Sequence, residues 1–203
     1  MNYETLPSEE TITKTAEAIK QRGIEVIIVN SKEEALAKVK ELIPEGATVM
    51  NGSSTTLDEI GFVEYLKQGK HPWKNLHDPI LQEQDQQKRM ELMRQAVLAD
   101  YFLGSTNAIA ETGELVSADA SGSRVGAYPF AAGKVILVSG INKIVPTLED
   151  AIKRVREYAY PLENERAKKV YGMGSMVGKM LITEKEMFPQ RTTLILVKEK
   201  LGF

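Results

Sequence analysis

The chain of 203 residues contains no cysteine. It therefore forms no disulfide, offers no thiolate to zinc or to an iron–sulfur cluster, and has no cysteine nucleophile. Any redox cofactor held by thiolates sits on another subunit. Histidine is nearly absent, with only His71 and His77, both in one loop. No two-histidine helix face exists for zinc, and a Ser–His–Asp triad would need that loop to fold over the edge of a sheet. An excess of positive charge is also missing: 26 Lys and Arg stand against 28 Asp and Glu, which excludes the basic footprint of a nucleic-acid-binding chain. No apolar run approaches a membrane span, and Met1–Glu10 lacks the basic and apolar stretches of a signal peptide. These absences predict a cytoplasmic chain with no membrane and no nucleic-acid partner. No Pro/Gly/Ser-rich linker divides it and no repeat is visible, so residues 1–203 read as one domain.

What is present alternates between strand and helix signals. Ser8 opens an amphipathic segment that ends at Gly23 and reads as a peripheral helix. The nearly all-apolar, β-branched run Ile24–Val29 predicts a strand covered by helices on both faces. Ser31 caps a second helix that stops at Pro44, and Ala47–Met50 is the next strand. One helix is expected over about 56–68 and one long polar helix over about 78–99. Tyr101–Leu103 resumes the sheet, and Thr112-Gly113 turns a hairpin between residues 107–111 and 114–118. Lys134–Ser139 is a strand, Thr147 caps a helix carrying Ala151, Ile152, Val155 and Tyr158, and Thr192–Val197 closes the sheet. The pattern predicts an α/β fold, a three-layer α/β/α sandwich with a mostly parallel sheet plus an antiparallel hairpin.

Three polar segments fall at predicted strand ends, where α/β sheets place ligands. Gly52-Ser53-Ser54-Thr55-Thr56 turns a strand into a helix, and its amides and hydroxyls can converge on a carboxylate or phosphate. Capping alone accounts for part of it, because Thr56 and Glu59 have capping-box spacing. Glu111 and Thr112 sit at the hairpin turn, where a carboxylate can serve as nucleophile, base or substrate-orienting acceptor, with Glu114 as the rival. Arg124, in the polar loop 119–124, can fork onto an anion or belong to a surface turn. Asn142 and Lys143 follow a strand directly and can neutralise an anion, though Lys143 taken alone also fits a solvated lysine. No metal ligand set appears. The first strand runs into Asn30-Ser31-Lys32 without a glycine fingerprint, so a dinucleotide held in that manner is not expected. Gly172–Met180 fails as a phosphate loop, since Met180 replaces the Ser/Thr that would meet magnesium. Its methionines and glycines are expected to pack a helix against another surface, such as a second subunit.

Three segments in order, Gly52–Gly61, Asn107–Val116 and Val138–Val145 followed by Glu149–Arg154, resemble the lactate-utilisation (LUD-domain) family. The resemblance spans roughly residues 10–200 and implies a fold similar to the sugar-phosphate isomerase and CoA-transferase superfamily. Its signature positions fall on Gly52, Ser53, Ser54, Thr55, Glu111, Thr112, Asn142 and Lys143. It implies a part in lactate or 2-hydroxy-acid utilisation, a small anionic ligand, and iron–sulfur clusters carried only by partner subunits, since this chain resembles a short, cluster-free member. Two alternatives stay open. One is a self-contained isomerase-like or CoA-transferase-like enzyme using Glu111; the other is a non-catalytic subunit of a redox complex or of a homo-oligomer.

Overall fold

The computed structural model describes residues 2–203. Ser8 accepts a hydrogen bond from the Thr11 amide and starts α1 (Glu9–Gln21), whose Ile12, Ala16 and Ile19 are buried along one face. Then come β1 (Glu25–Val29), α2 (Lys32–Leu42) capped by Ser31, and β2 (Thr48–Asn51). The single helix expected over 56–68 is two, α3 (Thr55–Glu59) and α4 (Phe62–Lys67). Gly61 between them takes φ 79°, a left-handed conformation that no right-handed helix can run through. Beyond β3 (Lys74–Asn75), the long polar helix is likewise split, into α5 (His77–Gln82) and α6 (Gln86–Ala96). Glu83 is extended, and the Asp85 carboxylate accepts from the Gln87 and Lys88 amides, so a new helix begins instead of the old one continuing.

The remaining elements are β4 (Tyr101–Gly104), β5 (Ala108–Ala110), β6 (Leu115–Asp119), α7 (Ser123–Gly126) and β7 (Lys134–Gly140). A π-helical turn over Ala127–Ala131 precedes β7 and a 3-10 turn over Ile141–Lys143 follows it. Next are β8 (Ile144–Val145) and α8 (Leu148–Arg154), the latter capped by Thr147. A π-helical turn over Val155–Ala159 leads into α9 (Tyr160–Tyr171), then β9 (Lys179–Thr183) and β10 (Thr192–Val197).

Six strands form a wholly parallel sheet in the order β1-β10-β7-β4-β2-β3. Its central strands are apolar on both faces, as a sheet covered twice by helices requires. Leu103, Ile136, Val138, Ile195 and Val197 face α2, α3 and α4. Phe102, Val135, Leu137, Leu194 and Leu196 face α1, α5, α6 and the turn at Tyr128. The covering predicted for Ile24–Val29 is present, with Ile24 and Val26 packed on the α1 side and Ile27 and Val29 on the α2 side, although β1 is an edge strand paired only with β10 and Ile28 is 38% exposed. Its apolar composition resembles that of a central strand, but the last strand of the chain takes the interior position instead.

The hairpin turns at Thr112-Gly113 as predicted, with Ala108 opposite Val116. It belongs to a second sheet, β8-β5-β6-β9, and not to the main one. Ile109 and Leu115 pack into the main core, while Ala108, Val116 and Ala118 meet Ala151 and Val155 from the α8 side. The result is a three-layer α/β/α arrangement with a small sheet inserted into one helical layer.

Candidate functional site

Because all six main strands run parallel, their C-terminal ends share one edge, and the loops leaving β2, β4, β7 and β10 meet there. The β2 loop is Gly52-Ser53-Ser54. Ser54 is the N-cap of α3, accepting from the Leu57 amide, so the capping-box reading of Thr56 and Glu59 is overturned. Thr56 is buried, and its hydroxyl accepts a hydrogen bond from Lys143 Nζ at 3.0 Å. Glu59 accepts from the Gly202 amide at 2.6 Å, fixing the chain beyond β10 beside the site. Both side chains therefore serve long-range contacts that local spacing cannot reveal.

Lys143 is the buried centre of this edge. The 3-10 turn after β7 tucks it inward, where Nζ donates to Thr56 Oγ1, to Ser105 Oγ at 2.9 Å and to the Thr106 carbonyl at 3.1 Å. Its pKa is lowered to about 7, chiefly by burial and also by the Arg154 and Arg124 charges, with Glu59 opposing them. Lys143 is thus not the solvated lysine that its residue type alone suggests; it is 2% exposed. Ser105, Thr106 and Ser139 extend the network, with Ser139 Oγ 3.0 Å from Thr106 Oγ1 and 3.3 Å from Ser105 Oγ. Thr55, Thr56, Ser105 and Lys143 line a small polar pocket of about 40 Å³, closed on one side by Gly202 and Phe203.

Above this pocket lies a larger cleft of about 350 Å³. Gly122, at φ 99°, starts α7, and Asp119 accepts from the Arg124 amide at 2.8 Å, aiming the Arg124 side chain back across Gly52. A Cβ at Gly52 would overlap the Arg124 Cγ and Cδ, so the glycine is required by the arginine's path. The Arg124 guanidinium donates to the Ser53 carbonyl at 3.2 Å and the Ala118 carbonyl at 2.8 Å. Arg166 on α9 reaches the same serine, donating to Ser53 Oγ at 3.3 Å while forked onto Glu163 at 2.7 and 2.8 Å. His77 lines the cleft too, and burial lowers its pKa, favouring the neutral ring.

The structure thus brings together Gly52, Ser53, Ser54, Thr55, Thr56, Arg124 and Lys143. Asn142 is beside them in a different role: its side chain accepts from the Leu201 amide at 3.1 Å and donates to the Gly202 carbonyl at 3.3 Å, anchoring the segment after β10. Glu111 and Thr112 are elsewhere. Both are exposed at the hairpin turn and line neither cavity. Their neighbour Glu114 is buried, accepting from Thr112 Oγ1 and pairing with Arg22. The methionine-bearing segment expected to pack a helix is an irregular loop after Gly172, with Met173 and Met176 exposed at the rim of the cleft.

Ser105, Thr106 and Ser139 stand within the polar segments that the sequence singles out, but sequence reasoning gave them no role of their own, although each follows or ends a predicted strand just as Ser53 does. It passed over Arg154, which is fully buried, donates to the Asn107 and Asn142 carbonyls and lies against the rings of Tyr3 and Tyr158. No local pattern marks that arginine among the charges of α8.

Fold and site together define an α/β fold with a cleft of mixed polar and apolar lining at the C-terminal edge of a parallel sheet. The chain belongs to the LUD-domain family, whose model matches residues 12–197. Among solved structures it is similar to a DUF162 family protein from Deinococcus radiodurans, at 16% identity and a TM-score of 0.55, over 95% of this chain and 99% of that one. No curated protein matches the chain. Among the described residues, no helix is long and apolar enough to cross a membrane.

Proposed function

We propose that this chain binds a small carboxylate of the 2-hydroxy-acid class, as one component of lactate utilisation. The observation that carries this reading is the convergence of Arg124 and Arg166 on Ser53, which with Arg124 also lines the pocket that holds the buried Lys143. Two guanidiniums supply donors in fork geometry for a carboxylate, and both are pre-positioned by backbone or acidic partners rather than free to wander. Lys143, poised near neutrality, holds or releases a proton through the Thr56 and Ser105 hydroxyls that line the pocket beneath the ligand. Glu111 has no part in this arrangement. Because the chain has no cysteine, clusters that accept electrons from the acid are assigned to partner subunits, as the family resemblance implies.

The test is isothermal titration of the purified chain with lactate, glycolate, glucosamine 6-phosphate and acetyl-CoA, repeated with Arg124→Gln. Saturable binding of a hydroxy acid, weakened at least tenfold in the variant, is the expected result. Binding of the sugar phosphate or the thioester alone would move the assignment to the isomerase or transferase alternative. Binding of none of them would leave the non-catalytic-subunit reading.

A further inference from the structure

The cleft is too large and too apolar for lactate. Its volume of about 350 Å³ equals that of about a dozen liquid-water molecules and falls in the range of sites that enclose drug-sized ligands. A hydroxy acid whose side chain is a single methyl leaves most of it unfilled. The lining includes the polar Asn51, Ser53, Arg124 and Arg166 and the apolar Ile80, Leu81, Met93, Val155, Met173 and Met176. Met173 and Met176 are 68% and 64% exposed, on the loop that follows Gly172. Unbranched thioethers on such a loop adapt to hydrocarbon of varied shape.

Asn51 adds an independent sign of a ligand. It ends β2, is 3% exposed and lines the cleft, yet its Oδ1 has no hydrogen-bond partner. The amide nitrogen is turned toward the Gly52 carbonyl, leaving the oxygen as a buried acceptor without a donor. An acceptor kept this way is matched by a hydroxyl or N–H of a bound molecule, whereas a ketone oxygen brings only lone pairs and leaves it unmatched. A buried polar group discriminates strongly against an analogue that lacks its counterpart.

We propose that the cleft takes a 2-hydroxy acid with an apolar side chain longer than methyl. The carboxylate is held by Arg124, the 2-hydroxyl donates to Asn51 Oδ1, and the hydrocarbon is covered by Ile80, Met93 and the methionine loop. The proposal rests on the anion-binding reading above and narrows its ligand.

The experiment is titration calorimetry with lactate, 2-hydroxyhexanoate, 2-oxohexanoate and hexanoate on the wild type, Asn51→Ala and Met176→Ser. The unfolding midpoint of each variant, checked first, separates lost binding from lost folding, and the exposed Met176 keeps the test open should Asn51→Ala not fold. Binding is expected to tighten about fourfold for each buried methylene, so 2-hydroxyhexanoate binds well over tenfold tighter than lactate. It also binds at least tenfold tighter than the 2-oxo and unsubstituted acids. Asn51→Ala erases the hydroxyl preference, and Met176→Ser flattens the chain-length dependence. Equal affinities for lactate and 2-hydroxyhexanoate overturn the inference while the small-carboxylate reading survives. A 2-oxo acid binding as well as its hydroxy counterpart overturns the role of Asn51. Failure of every acid to bind overturns both readings.

Discussion

Lys143 Nζ lies 3.0 Å from Thr56 Oγ1, joining the turn after β7 to the first turn of α3 across the end of the main sheet. This contact explains why the β2 loop carries more hydroxyls than a helix cap needs. Ser54 caps; Thr56 faces inward to receive a lysine proton.

The titration of Lys143 makes stability depend on pH. Its pKa is lowered from the ordinary 10.5 to about 7 in the fold, so between those values the unfolded chain holds the proton and the folded chain releases it. Stability therefore rises with pH across this window, by up to about 1.4 kcal/mol per unit, and the lysine imposes its full penalty below pH 7. Urea unfolding of the wild type and Lys143→Met between pH 6 and 10 checks this: the slope is expected to flatten in the variant.

Gly52→Ala is expected to act through Arg124. The added methyl displaces the arginine stem, costing about 1–3 kcal/mol as an overpacked site does and weakening anion binding at least tenfold. Combining it with Arg124→Ala should recover most of the stability and none of the binding. Denaturation midpoints and titration of the single and double variants read the two effects separately.

Arg154→Ala is expected to cost about 3–5 kcal/mol, because two buried carbonyls lose their donor and a void opens beside the Tyr3–Tyr158 pair. Thermal unfolding gives the loss directly. Arg154→Lys should rescue only part of it, since one ammonium cannot reproduce the fork.

Glu111→Gln and Glu114→Gln separate the two hairpin carboxylates. The first, at an exposed turn, should leave both stability and hydroxy-acid affinity unchanged. The second weakens a buried pair with Arg22 and should lower stability by about 1–3 kcal/mol with affinity unaltered. A tenfold loss of affinity in Glu111→Gln would return that residue to the site.

Strand order and strand exposure were not equally readable in the sequence. The apolar runs at 24–29, 134–139 and 192–197 all announce strands, and all are strands, because β-branched runs bounded by turn residues have few other uses. Which of them is central is decided by pairing partners far along the chain, so the helices on both faces of Ile24–Val29 were legible and its place at the edge of the sheet was not. Helix breaks at Gly61 and Asp85 followed from backbone conformation and a cap that amphipathic pattern conceals. In the site, glycine- and hydroxyl-rich strand ends were legible since strand termini are where such residues gather. The network of Thr56, Ser105, Thr106, Ser139 and Lys143, and the separate contacts of Arg154 to the Asn107 and Asn142 carbonyls, were not, because they exist only once the loops are folded against one another.

The position of β10 has a consequence for folding. This strand lies between β1, which has no other neighbour, and β7, and the segment after it supplies the Gly202 amide to Glu59 and the Leu201 amide to Asn142. Until residues 192–197 dock, β1 has no strand to pair with, and until residues 201–203 follow, the small pocket at Lys143 lacks its Gly202 and Phe203 side. Folding is therefore governed by the joining of segments about 170 positions apart, a non-local pairing whose loop-closure entropy slows it.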